Sequence, residues 1–351
     1  MEDNMPGIGF ETVIGQRLAV EHLQNALRMG KLSQAYLIHG EKGSGKLALA
    51  RALAAVLVCE NPSADGSAPC GKCHACIQMK AETHPDVIVV TNERVGAVTK
   101  TGTLGVPVSR FIQSDVAVKP YEGNHKIYII PNADHMNQQA QNALLKTLEE
   151  PPAYALFLLL TDNLAAFLPT ILSRCVTIQL HPAPEAELQE ALIQNGIDEK
   201  EAVIAARLSH GNPGRSFALA TEEMAGFRQN VEEFLTGLKN KDSHQIVVYA
   251  QDLVGTKEDP TSHIEDFLDL GRSWYRDILV MKSTQRAENL IFQDQIQYIR
   301  NIALDISYDG IERCLMAFDE AEKRRKSKEN ETQIAELLLL KLRRILRSVQ
   351  S

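Results

Sequence analysis

Apolar positions recur at helical spacing from the start of the ordered chain. Phe10-Glu11-Thr12-Val13-Ile14-Gly15-Gln16 leads into a segment where Leu18, Val20, Leu23, Leu27 and Met29 stand among polar residues. Short apolar runs follow at Ala35–Ile38, Val87–Val90, Lys126–Ile130, Ala155–Leu160 and Cys175–Leu180, and each reads as a strand. Between them lie helical stretches at Leu47–Val58, Val108–Ala117 and Met136–Glu150, the last stopped by Pro151-Pro152, and a short helix before Ser173. Nearly continuous apolar strands alternating with helices predict an α/β domain on a five-stranded parallel sheet. Ala155–Leu160 is almost wholly apolar and is expected at its centre, while the Gly/Thr-rich stretch Asn92–Pro107 reads as an irregular loop.

Pro182 and Pro184 mark a linker, and the pattern then becomes helical throughout. Glu185–Gln194 is one helix. Asp198 with Glu201 predicts a capping box for the next, which stops at Gly211. Asn212-Pro213 starts another, with Asn as cap, Pro at the first helical position and Arg215 in the first turn. Helices are then expected at Phe227–Leu238, His244–Val254, Ile264–Met281, Gln293–Leu304, Asp309–Glu322 and Ile334–Val349. The organisation predicted is an α/β part over 1–181, a small helical part over 182–222 and an all-helical part over 223–351.

Bulk composition changes this picture little. A chain of 351 residues, 44% hydrophobic and 23% charged, suits a soluble protein of two or three domains. A net charge of -8 predicts no general electrostatic grip on nucleic acid. No run approaches the roughly 18 apolar residues of a membrane span. Met1-Glu2-Asp3-Asn4 carries acids where a signal peptide carries bases, so a cytoplasmic location and no membrane partner are expected. The basic run Lys323–Lys328 reads as a solvated helix end and loop, with a nucleic-acid or partner contact as the alternative.

The candidate chemistry begins at Gly40-Glu41-Lys42-Gly43-Ser44-Gly45-Lys46-Leu47, between the first strand and its helix. Gly40, Gly43, Gly45 and Lys46 have the G-x-x-x-x-G-K spacing of a phosphate-binding loop. Glycines let backbone N–H groups converge on a phosphate, and the following helix presents its positive end to it. The bland alternative is a structural glycine-rich turn. The next residue should bring a hydroxyl to Mg²⁺, and here it is Leu47. The third strand should end in an acid for the metal, and here Pro131-Asn132 follows it. Asp134, three residues on, reads as a helix cap or loop acid. Thr161-Asp162-Asn163 ends the fourth strand, where a polar residue would face a γ-phosphate. Two parts of the hydrolytic machinery are thus missing together.

Cys59, Cys70, Cys73 and Cys76 are spaced C-x10-C-x2-C-x2-C within a segment broken by Pro62, Gly66, Pro69 and Gly71. The C-x2-C turns suit tetrahedral zinc, which can hold a segment that has no core of its own. His74 is read as a bystander, since four thiolates complete the shell, and a redox C-x-x-C would not need four cysteines so close together.

The motifs together resemble the delta-prime family of bacterial DNA polymerase III clamp loader subunits, a branch of the AAA+ proteins. The resemblance runs over the whole length. It rests on Val13-Ile14-Gly15-Gln16, Gly40–Lys46, the four-cysteine insert, His84-Pro85-Asp86, the stretch from Asn142 through Glu149-Glu150-Pro151-Pro152, and Ser173-Arg174-Cys175. The gamma/tau motor subunits share nearly all of these but have Asp-Glu where this chain has Pro131-Asn132. The resemblance implies a AAA+ core over 1–181 with a zinc module at about 59–80, a helical lid over 182–222 and a helical collar over 223–351 that oligomerises. It further implies a non-hydrolysing stator in a ring of five with gamma/tau and delta subunits. Arg174 would reach the neighbour's ATP site, and the ring would load a sliding clamp onto primed DNA. Arg174 could instead be a surface arginine at the start of a strand. Arg215 matches the lid's nucleotide-sensing position, with a salt bridge between lid and core as the alternative. ATP or ADP binding is expected to be weak or absent, and no intrinsic ATPase or polymerase activity is expected. The competing functions are an active gamma/tau-type ATPase, in which Asp134 replaces the lost acid, and a zinc-dependent nucleic-acid binder. The latter is disfavoured because Lys72 and Lys80 are the insert's only nearby bases.

Overall fold

The structure, a computed structural model, describes residues 7–95, 102–255 and 262–348. The acidic start at Met1–Asn4, residues 96–101 of the expected loop and Val349 lie outside them. Two compact units separate: residues up to 188 with 211–214, and 189–210 with 215 onward.

The first unit carries five strands, β1 (Ala35–His39), β2 (Val87–Val89), β3 (Lys126–Ile130), β4 (Ala155–Thr161) and β5 (Val176–Gln179). They form one sheet in the order β2-β3-β4-β1-β5, with every pair parallel. This is the five-stranded parallel core expected of a AAA+ protein, and β4 is its central strand, with all seven residues buried. Its helices are α1 (Arg17–Arg28), α2 (Lys46–Val58), α3 (His74–Lys80), α4 (Asn92–Val95), α5 (Val106–Val116), α6 (Gln138–Glu149) and α7 (Pro169–Leu172). Alternate strand residues point to opposite faces. Tyr36, Ile38, Leu156 and Leu158 therefore pack with α1 and α2, while Leu37, Phe157 and Leu159 pack with α5 and α6.

Asn92–Pro107 is not irregular throughout. It holds α4 and the first residues of α5, where Pro107 falls in the first turn and is preset for helix. His84-Pro85-Asp86 has a structural task. The buried Asp86 carboxylate accepts from the backbone N–H groups of Tyr121 (2.7 Å) and Glu122 (2.8 Å), anchoring the turn into β3. Lys126, at the start of β3, is buried against Asp115 at 2.9 Å.

The remaining helices are α8 (Glu185–Gln194), α9 (Glu199–Leu208), α10 (Pro213–Leu219), α11 (Glu222–Gly237), α12 (Ser243–Val254), α13 (Ile264–Thr284), α14 (Ile296–Asp305), α15 (Tyr308–Lys326) and α16 (Glu331–Ser348). In the second unit α13 lies against α14 and α15, and α16 packs on α12 and α15. Phe267, Trp274, Tyr275 and Phe318 fill its core. Gly271 is required there, because a Cβ at that position would lie 2.4 Å from the Phe318 ring. Asp198 caps α9 by accepting from the N–H of Lys200, but the expected capping box does not close. Glu201 is held instead by Arg228, through two hydrogen bonds of 2.9 Å. Helix α15 runs on to Lys326, past the expected end at Glu322. Its basic end pairs internally, Arg324 with Glu329, Arg325 with Glu265 and Glu322, and Lys326 with Glu322. The cations stand at the helix end, where the helix dipole favours them. Among the described residues, no helix is long and apolar enough to cross a membrane.

Glu232 lies beside Arg228 at 3.2 Å and is only 3% exposed. Burial, reinforced by nearby Asp294, outweighs Arg228 and pushes its carboxyl up to about 7. A carboxyl raised above its unfolded value binds more protons in the folded state between those two values. Stability should therefore fall as pH rises from about 4.5 to about 7. Urea unfolding at pH 5 and pH 8 should show a loss of roughly 2 kcal/mol that Glu232→Gln removes. The same slope in both proteins would refute this.

Candidate nucleotide loop and cysteine site

The loop at residues 40–46 leaves the end of β1 and enters α2. Gly43 (φ 86°) and Gly45 (φ 96°) are left-handed, a conformation that glycine adopts without strain. Gly40 is needed for close approach, because a Cβ there would lie 2.8 Å from Ser44 Oγ and 3.0 Å from the Leu180 side chain. A strap from residues 211–214 holds the loop from outside. Asn212 Nδ2 donates to the Lys42 carbonyl at 2.7 Å, and the Gly214 N–H donates to the Gly43 carbonyl at 2.8 Å. Ser44 is 6% exposed, and its hydroxyl has no hydrogen-bond partner among the described residues. Leu47 turns into the cluster formed by α1, α2 and the sheet, so an apolar side chain serves packing where a metal-binding hydroxyl would stand.

Lys46 curls back over the loop. Its ammonium donates to the carbonyls of Gly40 (2.8 Å) and Glu41 (2.7 Å) and pairs with Asp162 Oδ1 at 2.6 Å. Asp162 directly follows the last residue of β4. The polar strand end expected to face a γ-phosphate is thus ion-paired to the loop lysine, a contact between residues too far apart in sequence to be read from spacing.

The four cysteines converge from three places. Cys59 caps the end of α2, Cys73 is the N-cap of α3, Cys76 lies in the first turn of α3, and Cys70 belongs to the intervening loop. All four Sγ atoms lie within 4.8 Å of one another, with Cys59–Cys73 and Cys70–Cys76 each at 3.9 Å. Tetrahedral zinc with bonds of about 2.3 Å sets its sulfurs about 3.8 Å apart, so the cradle fits a metal of that size. All four are free thiols. The N–H of Cys70 points at Cys59 Sγ (3.2 Å) and that of Cys73 at Cys70 Sγ (3.4 Å). Backbone N–H groups, Lys72's foremost, hold the Cys70 thiol down to about 6, whereas burial pushes those of Cys59 and Cys76 up. A bound dication would compensate that cost. His74 faces Gln78 instead, at 3.0 Å. The insert is tied down by Asp65, which accepts from Ser63, Ser67 and Arg28.

The family described as "DNA polymerase III, delta subunit" matches residues 15–184. The chain is 30% identical to DNA polymerase III subunit delta' of Bacillus subtilis over 321 residues, 91% of this chain and 94% of the relative. The chain belongs to the delta-prime family of DNA polymerase III subunits. It is 36% identical to the Escherichia coli delta' subunit over 200 residues, 57% of this chain and 58% of that one. It is also 32% identical to the tau/gamma subunit of Haemophilus influenzae over 251 residues, 69% of this chain but 35% of that longer protein. Delta-prime membership places the chain among the clamp loader subunits of DNA replication.

The tripeptide Ser173-Arg174-Cys175 lies between α7 and β5. Arg174 is 34% exposed, pairs with Glu149 at 2.6 Å and donates to the Thr170 carbonyl at 3.0 Å. Glu149 comes from the Glu-Glu-Pro-Pro end of α6, so two of the motifs that carried the resemblance meet in one ion pair. Arg215 belongs to the second unit and pairs with Asp269. After β3, Asn132 takes a left-handed conformation (φ 49°) and Asp134 lies in a short 3₁₀ turn, Ala133–His135. The cap of α6 is Asn137, which accepts from the N–H of Ala140 at 2.8 Å.

Co²⁺ added to the metal-free delta-prime chain should bind at one ion per chain, with the absorption of a tetrahedral four-thiolate site. Cys76→Ser should weaken that binding by at least about tenfold and alter the spectrum. A Cys76→Ser spectrum identical to that of the unmodified chain would rule out the four-sulfur site.

Proposed function

We propose that this chain is the non-hydrolysing subunit of the DNA polymerase III clamp loader, and that it lends Arg174 to the ATP site of a neighbouring gamma/tau motor subunit. One observation carries the reading. Lys46 follows the end of β1, whereas Arg174 precedes the start of β5, the parallel strand beside β1. The two lie at opposite ends of adjacent strands, separated by roughly 13 Å of strand, and each side chain is held at its own end, Lys46 by Asp162 and Arg174 by Glu149, so one phosphate group does not touch both. An arginine at that end serves a phosphate brought by another subunit. Its planar fork of donors suits a γ-phosphate, and Glu149 aligns it beforehand.

The chain's own loop supports the same division of labour. Leu47 offers no oxygen to Mg²⁺, and Pro131-Asn132 offers no carboxylate to metal or water. Gly40, Gly43, Gly45 and Lys46 remain a candidate cradle for ATP or ADP, bound weakly and without turnover, and the buried, unpartnered Ser44 hydroxyl is suited to a phosphate oxygen. Arg215 is a further candidate nucleotide contact. Cys59, Cys70, Cys73 and Cys76 hold structural zinc. Residues 182–222 form the lid and 223–351 the collar through which the subunit joins gamma/tau and delta in a ring of five, which then places a sliding clamp on primed DNA.

A loader reconstituted with Arg174→Ala should assemble normally by gel filtration, while ATP turnover at the site it serves falls at least about tenfold. Arg174→Lys should not restore turnover, because an ammonium cannot reproduce the fork. Unchanged turnover and clamp loading in the Arg174→Ala ring would overturn the assignment.

A further inference from the structure

We infer that Asp162 is an internal counter-anion that occupies the loop lysine, so that a nucleotide enters this loop only by displacing it. The inference rests on the reading of residues 40–46 as a nucleotide cradle and says how that cradle is regulated. A lysine ammonium has three donors and no acceptor. Here all three are met, by the Gly40 carbonyl, the Glu41 carbonyl and Asp162 Oδ1, at 2.8, 2.7 and 2.6 Å. The Lys46 side chain is 11% exposed. A cation so far removed from water needs a counter-charge, and the chain supplies its own in place of a phosphate.

The turn that carries Asp162 is held on both sides. The neighbouring Thr161 is buried at the end of the central strand, and the Thr161 hydroxyl accepts from the N–H of Asn163 at 2.9 Å. Asn163 Oδ1 in turn accepts from the N–H of Ala165 at 3.0 Å. The carboxylate therefore sits on a preformed turn against the Lys46 ammonium, the group that would meet a nucleotide phosphate in the proposed cradle. A nucleotide phosphate arriving there must give up part of the attraction of Lys46 and meets a like charge as well. The carboxylate is 42% exposed, so it can leave the ammonium without breaking the core.

The competing role for an acid at this position is that of a relocated Mg²⁺ ligand, standing in for the one missing after β3. The two roles have opposite signs. Removing a counter-anion strengthens nucleotide binding with or without metal, whereas removing a metal ligand weakens it only when Mg²⁺ is present.

The test is binding of fluorescent ADP and ATP analogues to the full metal-loaded chain, in buffer with Mg²⁺ and in Mg²⁺-free buffer without chelator. The proteins are the unmodified chain, Asp162→Asn, Asp162→Ser, Lys46→Ala and the Asp162→Asn/Lys46→Ala double variant, each checked for an unaltered melting transition. Both Asp162 variants should bind roughly 10- to 100-fold more tightly in either buffer, and the double variant should lose the gain. Equal or weaker binding by both Asp162 variants, while Lys46→Ala still weakens the unmodified chain, overturns the inference and leaves the nucleotide cradle standing. Weakening confined to Mg²⁺ overturns it in favour of the metal ligand. Binding that is absent or indifferent to Lys46 in every protein overturns both the cradle and the inference.

Discussion

β1 and β4 run parallel and in register up to their last residues, His39 opposite Thr161. The ladder continues one step further, with the N–H of Gly40 donating to the Thr161 carbonyl at 3.2 Å. Whatever follows β1 must therefore lie beside whatever follows β4. The glycine loop and the Thr161–Asn163 turn share one end of the sheet, and Lys46 finds Asp162 because two apolar strands are zipped together. On the other side of β1, β5 brings Leu180 against Gly40, which leaves no room for a side chain. The same parallel order sends the segments before β4 and β5 to the opposite edge, where Glu149 and Arg174 meet. One ladder thus creates two charged sites and keeps them a strand length apart.

The cysteine insert solves a different problem. The segment from Cys59 to Cys76 has proline, glycine and serine where a domain would have apolar side chains, and it cannot organise itself by burial. Two helix ends, the cap of α2 and the start of α3, bring the thiols together, and the Asp65 turn ties the intervening loop back to Arg28 of α1. Without a cation the buried Cys59 and Cys76 stay protonated, since burial opposes their ionisation, and nothing links the four sulfurs. A bound dication would offset the cost of ionising them and join the two helix ends.

Buried charge recurs in the second unit. Arg228 and Glu232 of α11 and Asp277 of α13 are almost completely enclosed. Asp277 accepts from the N–H groups of Ile291 (2.6 Å) and Phe292 (2.9 Å), and so holds the segment after α13 in place. Removing one partner from such a group is costly, because the other is then left buried without compensation. These groups fix the arrangement of helices whose apolar faces alone would tolerate sliding.

The sequence by itself determined whatever is local. Apolar runs named the five strands, and the almost wholly apolar Ala155–Leu160 named the central one, because a strand covered on both faces favours apolar side chains along its length. The spacing of Gly40, Gly43, Gly45 and Lys46 predicted a tight glycine loop between strand and helix, and the C-x10-C-x2-C-x2-C spacing a cluster of four sulfurs, because both are built from neighbours along the chain. Only the tertiary structure decided the partners of charged side chains. Glu201 looked like half of a capping box and pairs with Arg228; Arg215 pairs with Asp269; Arg174 pairs with Glu149; Lys46 is met by Asp162. Each pair joins residues far apart in sequence, and a charge carries no periodicity that names its counter-ion. Strand order and register choose it in the first unit, and the packing of helix on helix chooses it in the second.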